Sequence, residues 1–386
     1  MSVRVGVAIS TVEASFDAGA EAGRAAAQAL DGAPADLVLV FASGDHLGAP
    51  EAALEAVHAT VEPETLVGCA AGGVLGSGRE LESGTGLAVW AASFGGDGQA
   101  TPFHATIEEA GLDATVEGLP PLEGASGTIL LTDPYSFPTD AVLGLIAEQA
   151  PGVPVLGAIA SAHSATGPLF IDGETHEQGA VGVSLEGVEM LPCVSQGAAP
   201  LGRELTITAA EGNIIHELAG RPALQTVERI IAELSPRERG LVAGGLLIGI
   251  VIDSGKPEYE QGDFLVRGVL GADPDTGSLA VGAAVHTGQV IRLHARDARS
   301  ADEDLRRALR LQTEAMAGGT PAGALLFSCN GRGRAMFGVP DHDAEAVERE
   351  LGAPPAAGFF AAGEIGPVGG RSFLHGFTAT LAVFPG

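Results

Sequence analysis

The sequence predicts an α/β protein, with mixed sheets packed against helices and repeated strand-helix-strand-hairpin units arranged in two domains. The first supporting observation is an internal repeat. One unit appears three times: an apolar strand (residues 37–41, 128–131 and 324–327), a polar loop and helix, then a G-x-x-A segment and a small residue. The segments are Gly68-Cys69-Ala70-Ala71-Gly72, Gly157-Ala158-Ile159-Ala160-Ser161 and Gly358-Phe359-Phe360-Ala361-Ala362, beginning 27, 26 and 31 residues after their strands. The second is that 57 glycines and 23 prolines fall between β-like runs and form no low-complexity tract. The third is length: 386 residues suffice for two or three domains with cores that need no disulfide or metal.

The elements follow in order. Residues 3–9 read as a buried strand, and 16–30 as a helix whose alanine-rich face suits close packing on a sheet. Each repeat then gives a strand, a crossover helix, a second strand and a hairpin return, with β runs at 86–92, 180–185 and 377–384. Glycine and alanine in the repeated segment allow close backbone approach, to a neighbouring element or to a ligand. Leu224, Val227, Ile230, Ile231 and Leu234 mark one face of a helix between Pro222 and Pro236. A boundary near 220 therefore divides residues 1–220, holding two units, from 221–386, holding the third. Strands are expected at 246–252, 264–270, 279–285 and 289–294, then a helix from a Ser300/Asp302 cap through Leu305, Leu309 and Met316.

Charge narrows the partners. Twenty Lys+Arg against 49 Asp+Glu give a net charge of −29, which repels phosphate backbones and anionic lipid. Neither nucleic acid nor membrane is expected as a partner. Hydrophobic residues reach 46% with mean hydropathy +0.26, yet charges and turn residues interrupt every 18-residue run, so the apolar content belongs to cores. Cys69, Cys193 and Cys329 are odd in number and lack C-x-x-C spacing, against a disulfide framework or a zinc site. The N-terminus lacks a signal-peptide core, so a cytoplasmic location is expected.

Familiar catalytic signatures are missing. Gly255-Lys256 is followed by Pro257, which removes a P-loop, and neither G-x-S-x-G nor H-E-x-x-H occurs. No cofactor and no metal is expected. Asp253 reads as a turn residue and His286 and His294 as ordinary surface or core histidines. The richest stretch is Ser328-Cys329-Asn330-Gly331-Arg332-Gly333-Arg334, at the end of the third repeat's first strand, where open α/β sheets place ligands. A thiol, an amide and two guanidiniums converge there, and arginine grips carboxylates bidentately. Glu364 occupies the repeat slot held by Val74 and His163 elsewhere. An acid in that slot suits holding an ammonium, orienting Arg332, acting as a base, or pairing with Arg332 or Arg371.

These residues resemble the FIST N and FIST C family of sensory modules over most of the chain. In the N part the resemblance rests on 67–74 and the following 80–86. In the C part it rests on 328–333, Gly358-Phe359-Phe360, Gly363-Glu364-Ile365-Gly366 and 373–378. It implies binding of a small ligand, with amino acids or their metabolites as candidates, upstream of a signalling output. Cys329, Arg332 and Glu364 match its C-part positions, and Gly68, Cys69 and Gly72 its N-part motif; no attached output region is recognised.

The leading expectation is thus a small-molecule-binding module in which Arg332 or Arg334 takes a ligand carboxylate and Glu364 an amine, with Cys329, Asn330, Gly68, Cys69 and Gly72 also at the ligand site. The alternative is a cysteine hydrolase or transferase with Cys329 as nucleophile, His375 as base and Glu364 as orienter. A third reading is a scaffold that recruits a protein signalling partner or forms a homo-oligomer.

Overall fold

The computed structural model describes residues 3–96, 98–110, 113–162 and 168–386. His163, one of the three repeat-slot residues, lies outside the described residues. Two compact units result: Met1–Val194 with Leu305–Leu374 and Ala379–Gly386, and Ser195–Asp304 with His375–Thr378. Residue 220 thus falls inside the second unit.

The first unit holds all three repeats. In the first, β1 (Arg4–Ser10) and α1 (Ser15–Ala29) precede β2 (Leu37–Ser43), α2 (Pro50–Val61), β3 (Leu66–Ala70), the hairpin β4 (Val74–Gly76) and β5 (Arg79–Leu81), and β6 (Gly86–Ser93). The second has β7 (Gln99–Ala110) and β8 (Asp113–Glu117) before β9 (Gly127–Thr132), α3 (Thr139–Gln149), β10 (Val155–Ile159), the hairpin β11 (Leu169–Ile171) and β12 (Glu174–His176), and β13 (Ala180–Glu186).

After β14 (Leu191–Gln196) the chain builds the second unit from β15 (Ala198–Glu211), β16 (Ile214–Leu218), β17 (Arg221–Pro222), α4 (Ala223–Glu233) and α5 (Pro236–Ala243). Strands β18 (Leu246–Val251), β19 (Phe264–Asp273), β20 (Ser278–Val281) and β21 (Val290–Arg296) follow, then α6 (Ala298–Ala315). The third repeat is β22 (Gly323–Cys329), α7 (Arg334–Phe337), α8 (His342–Leu351), β23 (Ala356–Ala361), the hairpin β24 (Gly363–Val368) and β25 (Arg371–His375), and β26 (Thr378–Phe384).

Each repeat forms its own sheet, in the orders β1-β6-β2-β3-β11-β12, β25-β24-β10-β9-β13-β7-β8 and β14-β26-β22-β23-β4-β5. The pairs β2–β3, β9–β10 and β22–β23 are parallel, joined by crossover helices, and the return strands are antiparallel, which makes the sheets mixed. The hairpins, however, do not stay at home. The first repeat's hairpin extends the third sheet, the second's extends the first, and the third's extends the second. This cyclic exchange ties the three repeats into one unit. Their inner faces share one core that draws Phe41, Val67 and Trp90 from the first repeat, Leu131 and Val181 from the second, and Phe327, Phe359 and Phe384 from the third.

The repeated glycines serve this packing. A Cβ on Gly68, Gly157 or Gly358 would fall on the carbonyl oxygen of Val40, Leu130 or Leu326 in the parallel partner strand. The alanine-rich face of α1 works similarly, with Gly19 against the Ala53 carbonyl of α2.

In the second unit, β15 pairs both β21 and β16, so the antiparallel ring β15-β21-β18-β19-β20-β16 closes on itself. Ile207, Ile215, Ile248, Ile291 and Leu293 fill it together with Val227 and Ile230 of α4. Helix α6 begins before the expected Ser300/Asp302 cap: Ala301 N–H donates to the Asp297 carbonyl at 2.9 Å and Ser300 Oγ to the Asp297 carboxylate at 2.8 Å, so the chain turns helical two residues earlier. Among the described residues no helix is long and apolar enough to cross a membrane.

Candidate functional site

The site grows from the end of β22. Asn330 N–H continues the parallel ladder to the Ala361 carbonyl at 2.9 Å, and Arg332 N–H closes a turn onto the Cys329 carbonyl at 2.8 Å. Gly333 then takes φ +73°, a left-handed conformation that favours glycine, and α7 begins. The turn folds the Arg332 side chain inward, where it is 2% exposed.

Its partner is Asp343, the second residue of α8. Arg332 Nε donates to Asp343 Oδ2 at 2.6 Å and Nη2 to Oδ1 at 2.8 Å, a bidentate fork between two buried side chains. Ser328 Oγ donates to Oδ2 at 2.7 Å and His342 Nδ1 lies 2.9 Å from Oδ1. Burial would raise the Asp343 pKa, but the adjoining guanidinium outweighs it and holds this carboxyl well below the usual range. Phe337 lies 5.1 Å under the guanidinium carbon and stacks on the His342 ring at 3.4 Å between centroids.

The fork uses only one edge of the guanidinium. Arg332 Nη1 is buried with no hydrogen-bond partner among the described residues. Burial favours the neutral form of Arg332, yet Asp343, and then Cys329 and Glu364, raise its pKa above the ordinary arginine value. Glu364, fully buried on β24 and opposite Ala158 of β10, therefore lies within electrostatic reach of Arg332. Of the roles open to Glu364 in the sequence, that of gripping Arg332 belongs to Asp343; Arg371 instead lies over the Phe373 ring, 5.4 Å from its centroid.

A second exchanged hairpin adds Glu80. On β5 its N–H donates to Asp341 Oδ1 at 2.6 Å, while Oε1 accepts from Asp343 N–H at 2.8 Å and Ala344 N–H at 3.0 Å. It thereby caps the N-terminus of α8, where Asp341 makes no side-chain cap. Next to it, Glu82 Oε1 accepts from Arg334 N–H at 2.7 Å. Burial, reinforced by the neighbouring Asp343 charge, pushes the Glu80 carboxyl up to about 7.

The remaining expected site residues divide. Cys329, at 9% exposed, lies with Arg332 and Glu364. Asn330 and Arg334 turn to solvent at the rim. Gly68 and Cys69, expected on the ligand side, are built into the core instead: Gly68 abuts Val40, and burial pushes the Cys69 thiol well up. Gly72 is exposed and donates its N–H to Ser161 Oγ at 2.9 Å; that hydroxyl donates to the Phe360 carbonyl, so the three repeated segments meet. His375 is buried and belongs to the second compact unit, Cys329 to the first. Asp253 forms the expected turn, accepting from Gly255 N–H at 2.9 Å; His286 is exposed and His294 buried in the second unit's core.

Sequence reasoning missed Asp343 and Glu80. The available signals were an acid in the first turn of a helix 11 residues past Arg332, and a carboxylate inside the resemblance segment 80–86.

An uncharacterized protein of Mycobacterium tuberculosis is 43% identical over 385 residues, 99% of this chain and 100% of that protein. One from Mycobacterium bovis is 42% identical over 385 residues, 99% of each chain. Family models match a FIST N domain at 36–221 and a FIST C domain at 223–367. FIST domains are generally taken as small-ligand-binding sensory domains. On the matches to both halves, the chain belongs to the FIST family.

Proposed function

We propose that the chain is a sensory-type module that binds a small amino acid or related small carboxylate beside Arg332 and Glu364. One observation carries the reading: Arg332 is aligned by Asp343 yet keeps Nη1 buried and unpartnered beside a fully buried Glu364. A buried donor left unmade costs about 1–3 kcal/mol, so a ligand oxygen that reaches it is rewarded. Asp343 occupies the Nε–Nη2 edge, so a ligand carboxylate meets the guanidinium from its Nη1 side, and Glu364 complements an ammonium. The ligand class favoured is therefore a zwitterion over a dianion. Asn330 and Arg334 serve at the rim.

A thermal-shift screen of amino acids, small amines and small carboxylates tests this. A ligand at 100 times its Kd should add about 2.7 kcal/mol to stability. Glu364→Gln should abolish the response to an amino acid while preserving the fold. A wild-type protein that responds to none of these compounds, or a Glu364→Gln variant that responds equally, refutes the reading.

A further inference from the structure

The first repeat's hairpin holds to the third sheet by few backbone pairings. Val74, Leu75 and Gly76 face Phe359, Gly358 and Ala357, flanked by two more backbone bonds, Ser77 N–H to the Ala356 carbonyl at 3.2 Å and Phe360 N–H to the Gly73 carbonyl at 3.0 Å. Its outer strand is fastened by acids instead: Glu80 to the N-terminus of α8 and Glu82 to Arg334 N–H. Glu80 Oε2 is buried without a hydrogen-bond partner among the described residues, on a side chain more than nine-tenths buried. A carboxyl so placed is satisfied on one oxygen only.

We propose that Glu80 is a proton-operated latch, which when protonated fastens the β4–β5 hairpin to α8 and when ionised loosens that joint together with the Asp343 fork on Arg332. The consequence for ligand affinity rests on the function proposed above; the latch itself does not.

The surrounding charges favour the proton. From α8 and its cap, Asp341 and Asp343 face Glu80, and Asp343 is matched by Arg332 and bonded by His342. Glu348 packs against Gly78, and the hairpin itself carries Arg79 and Glu82. Burial and the two aspartates outweigh the two N–H donors, and the carboxyl rises from its ordinary 4.5 to about 7. The closed joint therefore keeps its proton where the open one has lost it. Its strength is full below about pH 4.5, falls up to tenfold per pH unit as pH rises, and levels off above about 7.

Hydrogen exchange of the ligand-free full chain, read on peptides spanning residues 74–82 and corrected for intrinsic rates, measures the opening equilibrium. From pH 5.5 to 7 it should rise about fifteenfold in total in the wild type and stay constant in Glu80→Gln, which carries the protonated form's neutral shape. His342→Gln should keep the slope. A flat wild-type profile, or a slope retained in Glu80→Gln, overturns the latch. Should Glu80→Gln fail to fold, carboxyl-carbon NMR of the glutamate-labelled wild type decides: a glutamate with its midpoint near 7 supports the latch, and glutamates all titrating below about 5.5 overturn it. Failure of the ligand screen with this titration intact refutes the ligand reading alone.

Discussion

Arg332 and Asp343 form a two-bond fork, 2.6 and 2.8 Å long, between side chains that are each 1% exposed. Removing one partner strands the other charge in the core, which typically costs about 3–5 kcal/mol, whereas replacing both with apolar groups of similar volume is often neutral. Asp343→Ala and Arg332→Ala should therefore each shift the urea midpoint strongly downward. The double variant Arg332→Met with Asp343→Leu should lose less than either alone. Trp90, the single tryptophan and fully buried in the shared core, reports the transition. A double variant that loses the sum of the two single costs would show that the fork adds no coupling.

Gly68 and Gly358 each leave no room for a methyl group, because a Cβ would meet a carbonyl of the neighbouring parallel strand. Gly68→Ala and Gly358→Ala should each destabilise by about 1–3 kcal/mol or more, since a buried ladder cannot shift to admit the atom. Gly48→Ala is the control. It has nothing within 4 Å of its added Cβ, so the change should stay within about 0.5 kcal/mol. Equal midpoints for Gly68→Ala and Gly48→Ala would refute the packing role.

The repeat was legible because its signals are local. Apolar runs such as residues 37–41 are buried strands, and the spacing to Gly68, Gly157 and Gly358 sets a crossover helix. The exchange of hairpins was not legible: Val74–Gly76 shows the same apolar pattern whichever sheet edge receives it, and the choice lies in contacts between distant segments. The site divides likewise. Arg332 and Glu364 stood out by chemistry and by departure from the repeat. Asp343 and Glu80 read as two more acids among 49, and only the folded chain gives them their partners.

The second unit should respond to pH with the opposite sign to the latch. His294 is fully buried; its Nδ1 lies 3.1 Å from the Arg292 carbonyl and its ring packs 4.9 Å from Phe264. Burial lowers its pKa from 6.5 to about 4. The unfolded form then binds the proton first, so stability is complete above about pH 6.5 and falls as pH drops toward 4, up to tenfold per unit in the opening equilibrium. Hydrogen exchange of peptides from β18 and β21 should show this acid slope. His294→Gln should remove it, and a slope that survives in that variant would assign the effect to other groups.

Thiol accessibility separates the binding and enzyme readings. Cys69 and Cys193 are closed within the first unit, and burial pushes the Cys69 thiol upward, so Cys69 presents no thiolate near neutral pH. Cys329, at 9% exposed, is the most accessible of the three, and it lies beside the Arg332 guanidinium. Alkylation of the native protein at pH 7.5, located by mass spectrometry, should label Cys329 first and slowly, with Cys69 and Cys193 reached only on denaturation. Rapid stoichiometric labelling of Cys329 that disappears in His375→Ala would instead require a nucleophile with a base at hand, and would move the assignment from binding module to cysteine-dependent enzyme.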